Sequence, residues 1–280
     1  MTNPIADPMV EGADSNDMSG LVRIDATLAG AVTVTLNRPE ARNAFNAELI
    51  AALHEAFTTL QWAEGVRVVF LRGEGGTFSS GADLEWMREA AQRTEADNHD
   101  DAFRMALMLK ALWDIPALTV ALVEGGAFGG GAGLAAACDM AVSTSAAKFS
   151  FSEVRLGLIA ATISPYVVDA IGPRAARGLF ATGRVFDAAH AEKIGLVTEC
   201  VADAAALEQA QSRISQEMQL AAPGAVAASK DLVRDVAYRV VDRGLMEDTA
   251  RRIARTRVSE EGQEGVLAFL EKRKPGWAQS

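Results

Sequence analysis

Apolar and polar positions first alternate at residues 31–36 (AVTVTL), where β-branched side chains recur with the period of two expected of a strand. Asn37, Arg38 and Pro39 end the run. The period then becomes helical: Leu49, Ile50, Leu53, Ala56, Phe57 and Leu60 share one face, and Asn46 stands where an N-cap belongs. Residues 66–72 (VRVVFLR) predict a second strand, a loop follows over 73–81, and residues 83–92 begin a helix. The charged stretch 95–101 reads as a mobile connection, and a helix over 103–112 stops before Pro116. Residues 117–123 (ALTVALV) are apolar throughout, as in a strand buried on both faces. A glycine cluster follows, then a helix through 134–137 and a short strand at 140–143. Beyond these, helices are expected at 165–171, 175–181, 188–193, 204–220, 225–243 and 245–257. Strands alternating with helices, then helices alone, describe an α/β core over 19–203 and a helical region over 204–280. The acidic, polar residues 1–18 read as a disordered leader, with neither the basic nor the apolar part of a targeting signal.

Composition narrows the function. The net charge of −10 leaves no excess of cations to neutralise a nucleic-acid backbone, so no nucleic-acid partner is expected. No apolar run reaches the roughly 18 residues needed to cross a bilayer. The two cysteines, Cys138 and Cys200, are far apart and lack metal spacing, which fits core thiols in a reduced cytoplasm. His54, His99 and His190 are scattered, and no metal site is expected.

The candidate chemistry lies around six glycines, at positions 125, 126, 129, 130, 131 and 133, between a buried strand and a helix. Three readings stand. The cluster is a tight turn with close packing; or Gly131 to Ala136 form the G-x-G-x-x-A fingerprint of an NAD-binding protein, with Glu153 as the ribose acid; or the backbone N–H groups stabilise an oxyanion. The third reading needs a second donor, and the loop around TFSSGADL, also between a strand and a helix, supplies one.

Here a resemblance becomes specific. FSSGADLEWM and EGGAFGGGAGLAAACD resemble the two signatures of the crotonase (enoyl-CoA hydratase/isomerase) family. LNRPEARNAFN resembles its CoA-contacting loop, and further segments match in order from Val22 to Trp277. The resemblance implies the ClpP/crotonase spiral of repeated ββα units with C-terminal helices that assemble a homotrimer or a hexamer of two trimers. It implies an acyl-CoA substrate and no separate cofactor. It assigns the oxyanion donors to the N–H groups of Ala82 and Gly130, and places Arg42, Ala44, Ser80, Asp83 and Leu84 along the CoA. Asp83 also reads as a helix N-cap, and Asp139 as the anchor of a turn.

Family hydratases carry two glutamates. The first position is Gly133 here; the second is Glu153, the expected acid/base. Glu124, just before the glycines, is a candidate substitute for the missing acid. Ala161 stands where a dienoyl-isomerase would have aspartate. The segment GLIAATISPYVV resembles a bacterial subgroup acting on methylglutaconyl-CoA or carboxygeranoyl-CoA, enzymes of leucine and acyclic-isoprenoid breakdown. Arg155 is a candidate for meeting a distal carboxylate, with a surface or interface role as the alternative. The expected activity is hydration of a branched or carboxylated 2-enoyl-CoA, with Δ3,Δ2-enoyl-CoA isomerisation as the alternative that needs only one acid.

Overall fold

The computed structural model describes residues 20–278, so the leader over 1–18 lies outside the described residues. Among these residues nine strands occur: β1 (Val22–Ala26), β2 (Ala31–Leu36), β3 (Val68–Gly73), β4 (Leu118–Val123), β5 (Gly126–Phe128), β6 (Met140–Thr144), β7 (Lys148–Ser150), β8 (Phe186–Asp187) and β9 (Glu199–Val201). The helices are α1 (Ala47–Trp62), α2 (Leu84–Ala90), α3 (Glu95–Trp113), α4 (Gly130–Ala136), α5 (Ser164–Thr182), α6 (Ala188–Ile194), α7 (Ala204–Leu220), α8 (Pro223–Val236), α9 (Arg243–Val258) and α10 (Glu260–Leu270).

The main sheet has the order β1-β2-β3-β4-β6-β9. Only β1 and β2 are antiparallel, with Val22 opposite Leu36; the other pairings are parallel. Alternation along each strand sends side chains to two cores. Val32, Val34, Val69, Leu71, Ala121 and Val123 meet the apolar faces of α1 and α3. The intervening positions Val68, Phe70, Val120, Leu122 and Val142 are covered by Leu207, Ala210 and Ile214 of α7. The first helix of the C-terminal region therefore completes the sandwich around the sheet. The later helices contribute little to burial: Leu245 is the buried residue of α9 and Ala268 that of α10.

A second sheet, β5-β7-β8, runs beside the first. After β4 the chain steps into β5, and after β6 into β7, so each turn adds one strand to each sheet. Two single bridges, Phe45 to Ala82 and Ser79 to Ala127, extend this stepping to the preceding turn. The spiral thereby sets the loop over 79–82 beside the glycine cluster.

Several expectations change. Residues 95–101 are not a mobile connection but the first turns of α3. Thr94 and Asp97 form a reciprocal capping box, and Asp101 is buried between Arg93 (2.5 Å) and Arg104 (2.8 Å). The helix expected over 225–243 ends at Val236, Tyr238 has φ of 60°, and Asp242 caps a new helix through Leu245 N–H. The helices expected over 165–171 and 175–181 are joined across a break at Gly172 (φ 74°) and Pro173. The strands β5, β7 and β8 are only two or three residues long and left no readable period.

Asp139 does anchor a turn. Its Oδ2 accepts from Thr119 N–H and Oγ1–H, each at 2.8 Å, and pairs with Lys230 Nζ at 2.6 Å. Lys230 also donates to the carbonyls of Ile115 (2.6 Å) and Ala117 (2.7 Å). Burial pulls the Lys230 ammonium down from its ordinary pKa, against the opposing pull of Asp139. Replacing Lys230 with Met strands the carboxylate and two carbonyls. The expected loss of stability, read from the midpoint of urea unfolding, is about 2–4 kcal/mol.

Candidate active site

The site is built on Asn43. Its side chain is fully buried and its φ is 54°. Oδ1 accepts from Arg38 N–H (2.9 Å), and Nδ2 donates to the carbonyls of Glu74 (2.9 Å) and Thr77 (2.7 Å). Its own carbonyl accepts from Ser79 Oγ–H at 2.8 Å, while Gly81 N–H donates to Ser79 Oγ at 3.3 Å. One amide thus ties the segment 38–45 to the loop leading into α2. Arg42, also left-handed (φ 51°), adds a carbonyl that accepts from Ser80 N–H at 2.9 Å.

These bonds leave a specific group free. Phe45 N–H donates to the Gly81 carbonyl (2.7 Å), and Asp83 N–H donates to the Phe45 carbonyl (2.9 Å). Ala82, between them, is exposed, and among the described residues its N–H has no acceptor. The glycine loop repeats the arrangement. Phe128 N–H donates to the Ser79 carbonyl (3.0 Å) and Gly129 N–H to the Ser150 carbonyl (2.8 Å). Gly130 opens α4, so its N–H has no partner inside the helix, and none elsewhere among the described residues. The two loops touch backbone to backbone: a Cβ on Gly81 (φ 91°) would lie 2.8 Å from the Phe128 oxygen.

Glu153 enters from the turn after β7. A Cβ on Gly129 (φ 49°) would lie 3.1 Å from its Oε1, so the carboxylate sits directly against the glycine loop. Its Oε2 is buried without a hydrogen-bond partner. Burial raises its pKa above the ordinary glutamate value, only partly opposed by its own backbone N–H. It borders a largely apolar cavity of about 510 Å³ lined by residues that include Phe151, Leu158, Ile159 and Phe180.

The structure also shows what fills the place of a second acid. A Cβ on Gly133 would stand 2.1 Å from Ile163 Cγ2 and 2.5 Å from its Cβ. Ile163 is 1% exposed, so no acidic side chain fits at position 133 without moving it. Glu124 does not substitute. Its carboxylate lies toward Gly76 in a separate polar cavity with Arg72 and Glu208, because it follows the last residue of β4 and leaves from the α7 side. Gly131 and Gly133 are buried, and a Cβ on them would meet Ser79 and Ile163.

The other expected residues fall into place unevenly. Asp83 caps α2, its Oδ1 accepting from Glu85 N–H (2.8 Å) and Trp86 N–H (3.3 Å). Burial works against its charge, but Arg38 at 2.8 Å and the two N–H groups outweigh it and hold the pKa below the usual range. Leu84 is 74% exposed at the start of α2, while Ala44 is 5% exposed, with its carbonyl taken by Arg38 Nη1 (2.9 Å). Arg155 is exposed and lies over Gly183, outside the cavity at Glu153. Asn43, Ser79 and Ile163 were not singled out in the sequence. Asn43 and Ser79 stand inside the two motifs, but their roles depend on partners up to 36 residues away. No group of His, Cys, Asp or Glu among the described residues can hold a metal ion.

The chain is similar to known proteins over most of its length. Residues 26–280 match the family model described as enoyl-CoA hydratase/isomerase. A Thermus thermophilus protein with the provisional name enoyl-CoA hydratase is 35% identical over 244 residues, covering 86% of this chain and 95% of that one. A Legionella pneumophila structure provisionally called enoyl-CoA hydratase/isomerase (crotonase) is 43% identical, with a TM-score of 0.87, covering 92% of this chain and 99% of that one. Pseudomonas aeruginosa AtuE is 36% identical, with a TM-score of 0.88, covering 92% and 100%. The chain belongs to the enoyl-CoA hydratase/isomerase family and has the crotonase fold.

The position of Glu153 has a consequence for stability. An acid whose folded pKa is raised binds its proton more tightly in the native state, so it weakens the fold as pH rises from the unfolded pKa, near 4.3, to the folded one. Glu153→Gln is therefore expected to raise the melting temperature at neutral pH. The gain should shrink toward zero as pH falls below about 4.

Proposed function

We propose that the chain adds water reversibly and syn across the double bond of a 2-enoyl-CoA thioester. The observation that supports this most is that two N–H groups without an acceptor and a carboxylate with one buried, unbonded oxygen all border the glycine loop. In this reading the N–H groups of Ala82 and Gly130 hold the thioester oxygen. Negative charge grows there as the water oxygen bonds to C3, and fixed donors in a site shielded from water stabilise it without reorganising. Glu153 takes a proton from the attacking water and, as the neutral acid, gives a proton to C2. The raised pKa assists the second half-step, and H and OH are added with no net oxidation, so no cofactor takes part.

Arg42, Ala44, Ser80, Asp83 and Leu84 border the CoA in this reading. The acyl group is branched or carboxylated, in line with the subgroup resemblance over 157–168. Exposed side chains of the last helices, such as Val258, Phe269 and Leu270, support assembly as a homotrimer or a hexamer of two trimers. No helix among the described residues is long and apolar enough to cross a membrane, and the free cysteines support a cytoplasmic setting.

The filling of the second acid's place by Ile163 favours a second reading, Δ3,Δ2-enoyl-CoA isomerisation. There Glu153 removes a proton from C2 of a 3-enoyl thioester and returns it at C4, with the same oxyanion donors. Turnover of crotonyl-, 3-hexenoyl- and 3-methylglutaconyl-CoA separates the two. Hydration predicts a 3-hydroxyacyl product, whereas conversion of the 3-enoyl substrate alone would overturn it. Glu153→Gln is expected to lower turnover on the order of 10³-fold while a saturated acyl-CoA still binds. Near-normal activity of that variant would remove Glu153 from the mechanism. Saturable NAD binding without CoA binding would overturn both readings.

A further inference from the structure

The cavity beside Glu153 holds one cation that the proposed chemistry does not use. Its walls are carbon-rich, and its polar side chains are Glu153, Ser164 and Arg177. Ser164 commits its hydroxyl proton to the Ala161 carbonyl at 2.8 Å, which leaves Arg177 as the side-chain donor of the lining. Arg177 stands on the second half of α5, after the break at Gly172, and is exposed. Among the described residues its guanidinium makes no ion pair and no hydrogen bond, in a chain with 37 acidic residues against 27 Lys and Arg. Exposed arginines such as Arg23, Arg93, Arg104 and Arg213 pair with a carboxylate and others do not; Arg177 is set apart by its place in the cavity lining.

Arg177 is also not the counterion of Glu153. A guanidinium close to that carboxylate would favour its charged form, yet Glu153 is shifted the other way by burial, with only its own backbone N–H opposing. The cavity therefore carries its acid/base at one place and an unneutralised cation at another. A ligand made only of hydrocarbon offers the guanidinium no acceptor. A planar guanidinium matches a carboxylate through two parallel N–H···O bonds, which an ammonium cannot do.

We propose that Arg177 is a specificity residue that receives a carboxylate at the far end of the acyl chain, so that the preferred substrates are ω-carboxylated enoyl-CoA thioesters. This rests on the reading of the Glu153 cavity as the acyl site. It assigns the role once considered for Arg155, which lies outside that cavity, to a residue inside it.

The test compares two thioesters of equal length, glutaconyl-CoA, which ends in a carboxylate, and 2-pentenoyl-CoA, which ends in a methyl group. The readout is the ratio of their kcat/KM values. Arg177→Met is expected to lower that ratio about tenfold or more, and Arg177→Lys to retain part of it. A second arm measures binding of the unreactive glutaryl-CoA and pentanoyl-CoA by calorimetry, with the same ratio expected to fall. Ratios unchanged by Arg177→Met in both arms overturn the assignment. If the wild type turns over neither enoyl thioester but binds glutaryl-CoA in an Arg177-dependent way, the hydratase reading fails and the carboxylate site stands. If hydration proceeds with a ratio indifferent to Arg177, the catalytic reading stands and the specificity role falls.

Discussion

The contact on which the rest depends is the backbone-to-backbone approach of two loops, 79–82 and 126–131. The first lies between β3 and α2, and the second runs from β5 into the start of α4. Two polypeptide backbones come this close only where side chains are absent, and Gly81 meets the Phe128 carbonyl on those terms. The contact is secured from behind by Asn43 and Ser79, both buried and both bonded to main chain. Because neighbouring N–H groups are spent on these bonds, the two left over, on Ala82 and Gly130, stand out as donors that the fold does not consume. A buried side-chain amide with its capacity filled on main-chain partners is a rigid support, since leaving any of those groups unpaired costs more than the bond itself gains.

The spiral explains why this support can be local. Each turn of the chain adds one strand to each of two sheets, so loops distant in sequence are stacked as neighbours. The apolar stripes of α1 and α3 hold one face of the main sheet and α7 holds the other. The polar work is concentrated at the strand exits, where hydrogen bonding within the sheet ends. The buried Lys230, Asp139 and Thr119 cluster fixes a different place, linking α8 to the start of β4 and the end of α4, away from the glycine loop.

At Glu153 the environment decides the chemistry. Among the described residues the carboxylate has no hydrogen-bonding partner at Oε2, and burial, opposed only by its own backbone N–H, raises its pKa. A second acid is excluded by a different side chain: Ile163 occupies the volume that a side chain at position 133 would need. The site is therefore asymmetric, with two N–H groups left free and a single carboxylate beside them.

Much of this was legible in the chain itself. Alternation, a continuous apolar run at β4 and helical spacing gave β2, β3, β4, α1 and α7 because elements with one or two buried faces carry enough apolar positions to be read. The capping box of α3 was written in Thr94 and Asp97 but was hidden under a run of charge, which burial of Asp101 between two arginines makes compatible with helix. The short strands of the second sheet have no period to read. The motifs pointed to Ala82, Gly130 and Glu153 by position along the chain. Only the tertiary structure decided that the N–H groups of Ala82 and Gly130 go unpaired, that Asn43 holds the loops, that Glu124 faces another cavity, and that Ile163 closes the place of the missing acid. The physical reason is common to all four. Sequence determines which groups can bond or bury, while which of them are left free depends on contacts made across the fold.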